Sequence, residues 1–223
     1  NGSVRRNLLS DFTNIMRNGK IAMKLAEGDS LIGVLPCQPS DHILLASRNG
    51  KAIRFAAEDV RLFRGRNSVG VRGMRLLAED QLVSMCIIRD PEQEFVLSIT
   101  ENGYGKRTAV SEYRQTGRGG QGVANIETSA RNGQVVASFT VFAEDQLMLV
   151  TDAGKVIRIR VDGGEGDVIR IAGRKTQGVR LFEVDGAEKV VSVGIIRDAD
   201  DGQDNGDDPE HGDDPGHGEE QDT

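Results

Sequence analysis

The sequence lacks tryptophan, has only two cysteines and three histidines, and contains no long apolar run. Cys37 and Cys86 have neither a CxxC partner nor nearby histidines, which argues against a zinc site or a disulfide framework and favours buried strand thiols in a reducing cytosol. No apolar stretch approaches the roughly 20 residues that span a bilayer, which excludes a membrane protein. Because His211 and His217 lie among acidic residues, His42, which we expect in a turn beside Asp41, is the one candidate for an ordered catalytic base. The sequence therefore predicts no catalytic residue, no metal site and no cofactor in this chain.

Charges of the two signs are unevenly distributed along the chain. The net charge of −7 arises from residues 198–223, which hold twelve of the 35 carboxylates and no Lys or Arg. Residues 1–197 hold 28 cations against 23 carboxylates, a net charge of +5, and Arg outnumbers Lys 21 to 7. The guanidinium fork matches phosphate oxygens and stays charged, so this excess favours phosphate-bearing partners. Residues 198–223 cannot bury apolar area and are predicted to form a disordered acidic tail.

Two glycine markers recur with one shared period. The first marker precedes a basic strand and falls at Gly2, Gly50, Gly103 and Gly154, at intervals of 48, 53 and 51 residues. The second marker precedes an alternating apolar strand and falls at Gly19, Gly70, Gly122 and Gly178, at intervals of 51, 52 and 56 residues. Residues 1–197 therefore consist of about four repeats with a period of about 51 residues.

Each repeat also contains apolar segments that predict paired strands. Buried strands are predicted at residues 31–35, 82–88, 135–141 and 190–196. Their partners are predicted at residues 43–45, 95–99 and 147–150. Helical periodicity is weak, with one possible turn within residues 56–62. The sequence thus predicts an all-β, propeller-like disc of about four-stranded blades, with strands contributed across blade boundaries.

The repeats begin in the middle of the pattern, at Asn1. Three full repeats and two partial ones are few for a closed ring, so we expect a chain truncated upstream, with blades missing from a partial disc.

Cationic residues recur at equivalent positions of the repeats and form the candidate site. Because blades repeat by rotation, we expect equivalent residues on one outer edge, where they would bind the backbone of bent duplex DNA. The alternative is that these cations only solubilise exposed strands and prevent pairing between exposed strand edges. The candidate DNA-binding residues of the basic strands are Arg5, Arg6, Lys51, Arg54, Lys106, Arg107, Lys155 and Arg158. Those of the loops before the second glycine are Lys20, Arg64, Arg66, Arg114, Arg118, Arg174 and Lys175, and Arg17 lies in the first of these loops beside Lys20.

Four motifs resemble the C-terminal domain of DNA gyrase A subunits: residues 70–73 (Gly-Val-Arg-Gly), 102–108 (Asn-Gly-Tyr-Gly-Lys-Arg-Thr), 151–154 (Thr-Asp-Ala-Gly) and 173–179 (Gly-Arg-Lys-Thr-Gln-Gly-Val). The resemblance covers residues 1–197. It implies a β-pinwheel, a propeller-like disc with strands exchanged between blades, whose basic perimeter wraps DNA. An acidic tail after the last blade is similar to tails that temper wrapping in this family, by competing with DNA for the cations.

The resemblance also implies a setting for this chain. The whole enzyme would be an ATP-dependent type II topoisomerase that introduces negative supercoils into DNA in the bacterial cytoplasm, at the nucleoid. The implied partners are double-stranded DNA and the rest of the gyrase A subunit, together with the gyrase B subunit, in an A2B2 heterotetramer. ATP and Mg²⁺ would act on other domains or other subunits.

Three departures from the family pattern accompany this resemblance. The Gln-Arg-Arg-Gly-Gly-Lys-Gly box of the first blade is absent; residues 115–122 are a partial likeness with Gln121 at the lysine position, and we expect a blade loop there. The same loop lacks the Lys-Ser/Thr pair of a nucleotide site. The DNA-cleaving tyrosine is absent too, and Tyr104 and Tyr113 are expected to be structural. Two alternatives are the related domain of topoisomerase IV, in its A subunit, or a protein-interaction propeller resembling chromosome-condensation regulators.

Overall fold

The computed structural model describes residues 1–164 and 168–197, so the predicted acidic tail lies outside the described residues. Within these ranges the chain forms thirteen strands and three short 3₁₀ helices, and no helix there is long and apolar enough to cross a bilayer. The strands are β1 (Ser3–Val4), β2 (His42–Ser47), β3 (Lys51–Ala56), β4 (Val71–Arg72), β5 (Leu82–Ile88), β6 (Phe95–Thr100), β7 (Tyr104–Ala109), β8 (Val123–Ala124), β9 (Val135–Val141), β10 (Gln146–Thr151), β11 (Val156–Arg160), β12 (Val179–Arg180) and β13 (Val190–Ile196). The 3₁₀ helices are Leu9–Phe12, Ala57–Asp59 and Val110–Glu112.

The strands form blade-like antiparallel sheets that exchange a strand with the next repeat. The two four-stranded sheets have the orders β5-β2-β3-β8 and β9-β6-β7-β12. In each, three strands come from one repeat, and the short fourth strand follows the hairpin of the next repeat along the chain. The remaining sheets are β13-β10-β11 and the pair β1-β4, in which β4 is again supplied by the following repeat. This topology confirms the prediction of strands contributed across blade boundaries.

Each sheet has an inner and an outer edge. The seven-residue strands β5, β9 and β13 contact one another in series and form the inner edges. The exchanged strands β4, β8 and β12 lie at the opposite, outer edges. The loops that lead into these exchanged strands therefore lie on the perimeter of the blade series.

Both faces of the β5-β2-β3-β8 blade are buried because neighbouring repeats cover them, whereas the last blade is exposed at alternate residues of β11. Side chains of a strand alternate between its two faces. Accordingly, Ile43 and Leu45 of β2 pack in the cluster on one side of their sheet, whereas Leu44 and Ala46 pack in the cluster on the other side. All four are at most 6% exposed. This double burial is the physical reason for the continuous apolar run at the start of β2.

Six of the eight marker glycines contact neighbouring segments where no side chain fits, and Gly19 and Gly154 are the exceptions. Gly50 has a φ of +78°, and a Cβ built on it would lie 2.2 Å from the carbonyl oxygen of Ile126 in the next repeat. Gly122 has a φ of +76°, and its Cβ would lie 2.2 Å from the carbonyl oxygen of Ala52. Both conformations lie in the left-handed region that favours glycine. The repeating glycines thus mark the points where an exchanged segment crosses the preceding hairpin.

One predicted strand is wrong. Residues 31–35 form no strand, and Leu31 and Val34 are 53% and 71% exposed. Strands β5, β9 and β13 each pair with a hairpin strand that precedes a first-marker glycine. No described strand pairs with residues 31–35 in this way. A strand without a paired neighbour leaves its backbone groups unsatisfied.

Two smaller predictions are corrected at the same time. His42 is the first residue of β2 rather than part of a turn. Cys86 is a buried strand thiol, as predicted, and burial raises its pKa to about 12. Cys37 is only half-buried and lies outside the strands. The possible turn within residues 56–62 is confirmed by the short 3₁₀ helix at Ala57–Asp59.

Candidate nucleic-acid interface

Three perimeter loops share the pattern Gly-Arg-x-x-x-Gly. They occupy residues 65–70, 117–122 and 173–178, and we call them the Gly-Arg loops. Each leads directly into an exchanged outer strand, β4, β8 or β12. The last glycine of each loop has a positive φ, which lets the chain reverse into the outer strand.

The arginine of each Gly-Arg loop ties that loop to the preceding repeat. In all three loops, Nη1 of the arginine donates a hydrogen bond to a backbone carbonyl oxygen of the preceding repeat. The accepting residue lies two positions after the second-marker glycine of that repeat. The pairs are Arg66 to Ile21 at 3.0 Å, Arg118 to Arg72 at 3.1 Å and Arg174 to Ala124 at 3.0 Å. The repetition of one contact in three successive repeats arranges the loops in series around the perimeter.

Backbone hydrogen bonds reinforce this series. The amide of Gly119 donates to the carbonyl oxygen of Gly73 at 2.6 Å, and the amide of Arg75 donates to Gly120 at 2.8 Å. The amide of Glu127 donates to Thr176 of the next loop at 3.0 Å. Because the Gly119 amide is occupied by a protein carbonyl, the loop at 117–122 is a blade loop and does not fit a phosphate-binding nucleotide loop.

The perimeter is strongly cationic. Four equivalent stretches, residues 13–26, 61–75, 113–126 and 168–182, contain three, five, two and four cationic residues and no Asp or Glu. We call them the perimeter segments. Their exposed cations are Arg17, Lys24, Arg61, Arg64, Arg72, Arg75, Arg114, Arg118, Arg170, Lys175 and Arg180. Half of all Lys and Arg residues of the chain thus lie in four acid-free segments that follow one another around the outer edge.

The structure places the predicted loop cations on this perimeter. Arg64, Arg114 and Lys175 are exposed, and no hydrogen bond from their side chains is seen within residues 1–164 and 168–197. Lys20 is half-buried and donates from Nζ to the carbonyl oxygen of Asp11 at 2.8 Å. Arg66, Arg118 and Arg174 also lie here, where they hold the loops together as described above. DNA contact by these seven residues remains a prediction.

Three predicted cations of the basic strands are buried, so the prediction that they lie on the exposed outer edge is wrong. Arg54, Lys106 and Arg107 are 8%, 0% and 6% exposed. In each of these blades, a segment of the next repeat covers the third strand in the sheet order, β3 or β7, and buries these side chains. Burial lowers the pKa of all three groups, that of Lys106 to about 8. These side chains lie at a seam and are not available to a ligand on the surface.

The buried cations bind the carbonyl oxygens of the covering segment. Arg54 donates to the carbonyl oxygens of Val110 and Tyr113, each at 3.2 Å. Its other nitrogens contact Nδ1 of His42, at 2.9 and 2.6 Å. The equivalent contact in the next blade runs from Arg107 to the carbonyl oxygen of Ile169 at 2.8 Å. Lys106, one position earlier, adds contacts to the carbonyl oxygens of Gly173 and Arg174.

The seam position recurs four residues after each first-marker glycine, at Arg6, Arg54, Arg107 and Arg158. The first three form isolated parallel bridges to Leu62, Gln115 and Ile171 of the covering segments. No covering segment lies over Arg158 within the described residues, so Arg158 is exposed and donates to Oε1 of Gln146 at 2.7 Å. The arginine at this repeat position thus holds two repeats together at Arg54 and is a surface residue at Arg158.

The remaining basic-strand cations have mixed surroundings. Arg5 is half-buried, lies 4.5 Å from the Phe63 ring centroid and donates to the carbonyl oxygen of Ser68 at 2.6 Å. Lys51 is half-buried. Lys155 is exposed and forms ion pairs with Asp185 and Glu188, both at 3.1 Å.

Sequence reasoning missed six perimeter cations and one cation of a neighbouring turn. Equivalence between repeats had singled out the Gly-Arg loops but not the segments that flank them. The absence of carboxylates from four whole segments was a signal that could have found the six. The missed perimeter residues are Lys24, Arg61, Arg72, Arg75, Arg170 and Arg180, and the missed turn residue is Arg131, within residues 129–133.

Comparison with known proteins agrees with this architecture. A family model described as "DNA gyrase C-terminal domain, beta-propeller" matches residues 1–38, 41–88, 94–141 and 145–197, one segment per repeat. The solved C-terminal domain of DNA topoisomerase IV superposes with a TM-score of 0.80 at 23% identity, covering 88% of this chain and 59% of that one. A solved DNA gyrase A C-terminal domain gives a TM-score of 0.74 at 27% identity, covering 88% and 63%. At 23% identity the first of these supports the fold alone.

Sequence relatives distinguish between the alternatives. The DNA gyrase A protein of Escherichia coli (strain K12) is 41% identical over 92% of this chain and 22% of its own length. The corresponding protein of Granulibacter bethesdensis is 39% identical over 92% of this chain and 28% of its length, and that of Rickettsia bellii is 37% identical over 90% and 27%. The chain spans about a quarter of the length of these relatives. With the repeat topology and the family match, these identities show that the chain belongs to the DNA gyrase C-terminal domain family of β-propellers.

Proposed function

We propose that this chain binds and wraps double-stranded DNA on its perimeter, as the C-terminal module of a DNA gyrase A subunit. The observation that carries the proposal is the series of acid-free cationic perimeter segments, joined by the arginine contacts of the Gly-Arg loops. A duplex carries closely spaced phosphates, and each cation that neutralises one releases a condensed counterion. A continuous outer edge of exposed arginines offers such contacts along the path of a duplex.

The arrangement favours a bent duplex read through its backbone. The cationic segments follow one another around the outside of the blade series, so a duplex that reaches several of them must curve. Smooth bending of a 20–30 bp site costs on the order of 1–6 kcal/mol, which several phosphate contacts offset. Base readout in the major groove usually requires a helix or a β-ribbon that enters it. The described residues contain only short 3₁₀ helices, so we infer little base specificity.

The gyrase relatives suggest the setting in which the module works. In this proposal the chain itself is non-catalytic and belongs to an ATP-dependent type II topoisomerase that introduces negative supercoils. ATP and Mg²⁺ act on other domains or other subunits. The partners are duplex DNA and the rest of the gyrase A subunit, together with the gyrase B subunit, in the bacterial cytoplasm at the nucleoid.

The test is salt-dependent binding of a duplex long enough to bend. We expect the logarithm of the binding constant to fall steeply with the logarithm of salt concentration, by about 0.9 per neutralised phosphate. Substituting Arg64, Arg114 and Lys175 together with Gln should lower the slope by up to about 3, because each contributes at most one phosphate contact. Circular dichroism should be unchanged, since these side chains are exposed.

Arg89→Gln is the control for loss of positive charge. Arg89 is exposed but follows the inner strand β5, away from the outer edge. We expect its slope to match that of the unsubstituted chain. Binding that hardly responds to salt, or a triple variant with the slope of the unsubstituted chain, would refute DNA binding by the perimeter.

A further inference from the structure

Two arginines converge on one tyrosine hydroxyl beside the perimeter. Nε of Arg131 and Nη2 of Arg180 each donate to the hydroxyl oxygen of Tyr104 at 3.3 Å. Their guanidinium carbons lie 5.1 and 5.6 Å from the centroid of the Tyr104 ring. Both arginines are exposed. Tyr104 between them is only 5% exposed. Two like charges therefore meet at a neutral oxygen, each on an arginine that solvent reaches.

The elements that position these groups come from three parts of the fold. Tyr104 begins β7, directly after the hairpin glycine, and its backbone pairs with Arg180 of the exchanged strand β12. Arg131 lies in the turn at 129–133, which the side chain of Asn102 holds through the carbonyl oxygens of Ala130 and Arg131, at 3.3 and 3.0 Å. The cluster thus forms where a hairpin, an outer strand and a turn meet.

The same place in the last blade has the opposite charge balance. There the position of Tyr104 is occupied by Lys155, one residue after its marker glycine. The corresponding turn supplies Asp185 and Glu188, each 3.1 Å from Nζ of Lys155. In the last blade, carboxylates of this chain neutralise the cation. In the Tyr104 blade the turn supplies a second cation instead.

Little negative charge among the described residues balances the pair of arginines. Glu183 lies 3.2 Å from Nη1 of Arg180, but this carboxylate is 78% exposed, and such surface pairs contribute little because solvent screens them. The described residues contain no ion pair to Arg131. Hydrogen bonds from the two guanidinium groups also lower the pKa of Tyr104, which reflects the positive potential at its hydroxyl.

We propose that Tyr104, Arg131 and Arg180 form a blade-specific anion site that takes one phosphate group of the DNA backbone. Guanidinium groups present paired N–H donors that match phosphate oxygens, and the phenol holds the two groups over one ring. An anion between them would remove their mutual repulsion. The natural ligand rests on the proposed function, whereas the anion site itself does not.

The first experiment uses inorganic phosphate and follows ionisation of Tyr104 by phenolate absorbance. Burial raises the pKa of Tyr113, the second tyrosine, so the two phenols titrate separately, and Tyr104→Phe identifies the Tyr104 signal. Phosphate should raise the pKa of Tyr104 relative to chloride at equal ionic strength. Arg131→Gln and Arg180→Gln should abolish this difference. Equal pKa values in phosphate and chloride would overturn the site.

The second experiment measures duplex binding against salt. Arg131→Gln and Arg180→Gln should each reduce the slope by about 0.9, whereas Arg89→Gln, just after the inner strand β5 of the preceding blade, should not. If the unsubstituted chain binds DNA steeply but both variants match it, the phosphate site is wrong and the proposed function stands. If the unsubstituted chain does not bind DNA, the proposed function fails and the phosphate titration decides the anion site alone.

Discussion

Replacing Arg54 with Ala tests whether the repeated arginines of the third strands fasten blades together. Arg54 is 8% exposed and donates to the carbonyl oxygens of Val110 and Tyr113, and it also contacts His42. Hydrogen bonds to a charged group contribute about 1.5–3 kcal/mol each, and they are not additive. Removal of the arginine also ends the cost of burying its charge. We therefore expect Arg54→Ala to lower the free energy of unfolding by about 3 kcal/mol, towards the lower end of the range for breaking a buried ionic contact.

The chain supplies its own matched control at the equivalent position of the last repeat. Arg158 occupies the same place relative to its marker glycine, but it is exposed and bonds only to the side chain of Gln146 among the described residues. Arg158→Ala removes the same chemical group without leaving buried carbonyls. Surface changes of this kind stay within about 0.5 kcal/mol.

Urea unfolding of both variants measures the difference in the free energy of unfolding. Because stability in repeat proteins depends on contacts between neighbours, hydrogen exchange at the Thr116 amide gives a local readout beside the global one. That amide donates to the carbonyl oxygen of residue 54 at 2.9 Å. Exchange there should accelerate in Arg54→Ala and stay unchanged in Arg158→Ala. Equal losses of stability in the two variants would refute the assignment of Arg54 as a fastener.

Two further predictions follow from the buried groups and the glycine markers. Burial lowers the pKa of Lys106 from 10.5 to about 8, so between these pH values the unfolded chain binds the extra proton and stability rises with pH. The stability of the native chain relative to Lys106→Met should therefore increase by up to about 3 kcal/mol between pH 7 and pH 10.5, measured by urea unfolding, and a flat difference would contradict the charge burial. Gly122→Ala should cost about 2 kcal/mol or more, since the φ of Gly122 is +76° and the added Cβ would lie 2.2 Å from a carbonyl oxygen. Gly117→Ala in the same loop, where nothing lies within 4 Å, should be tolerated within about 0.5 kcal/mol, and similar losses in both would contradict this account.

The inner strands could be predicted closely because their sequences are mostly apolar runs bounded by turns. Residues 82–88, 135–141 and 190–196 coincide with β5, β9 and β13. Such a run is a local signal, since apolar and β-branched residues favour strands. It does not report burial, because several residues of β13 are exposed. Residues 31–35 have a similar composition, yet they form no strand, and no described strand pairs with them. Pairing depends on a partner, which a local pattern does not contain.

The residues of the candidate site also differ in whether a local sequence pattern could reveal them. Its loop cations could be found from repetition alone, because Gly-Arg-x-x-x-Gly recurs with the period of the fold. The burial of Arg54, Lys106 and Arg107 could not, because the segments that cover them come from the following repeat. Nor could the meeting of Arg131 and Arg180 at Tyr104, since these residues are separated by 27 and 76 positions.

The amino-acid sequence by itself thus determined the repeat, the strand class and the excess of arginine in residues 1–197, because glycine spacing, apolar runs and charge are properties of neighbouring residues. Only the tertiary structure decided which arginines face solvent. Strand exchange brings segments of the next repeat over β3 and β7 but leaves β11 uncovered. The arginine at the same repeat position is therefore buried at Arg54 and exposed at Arg158.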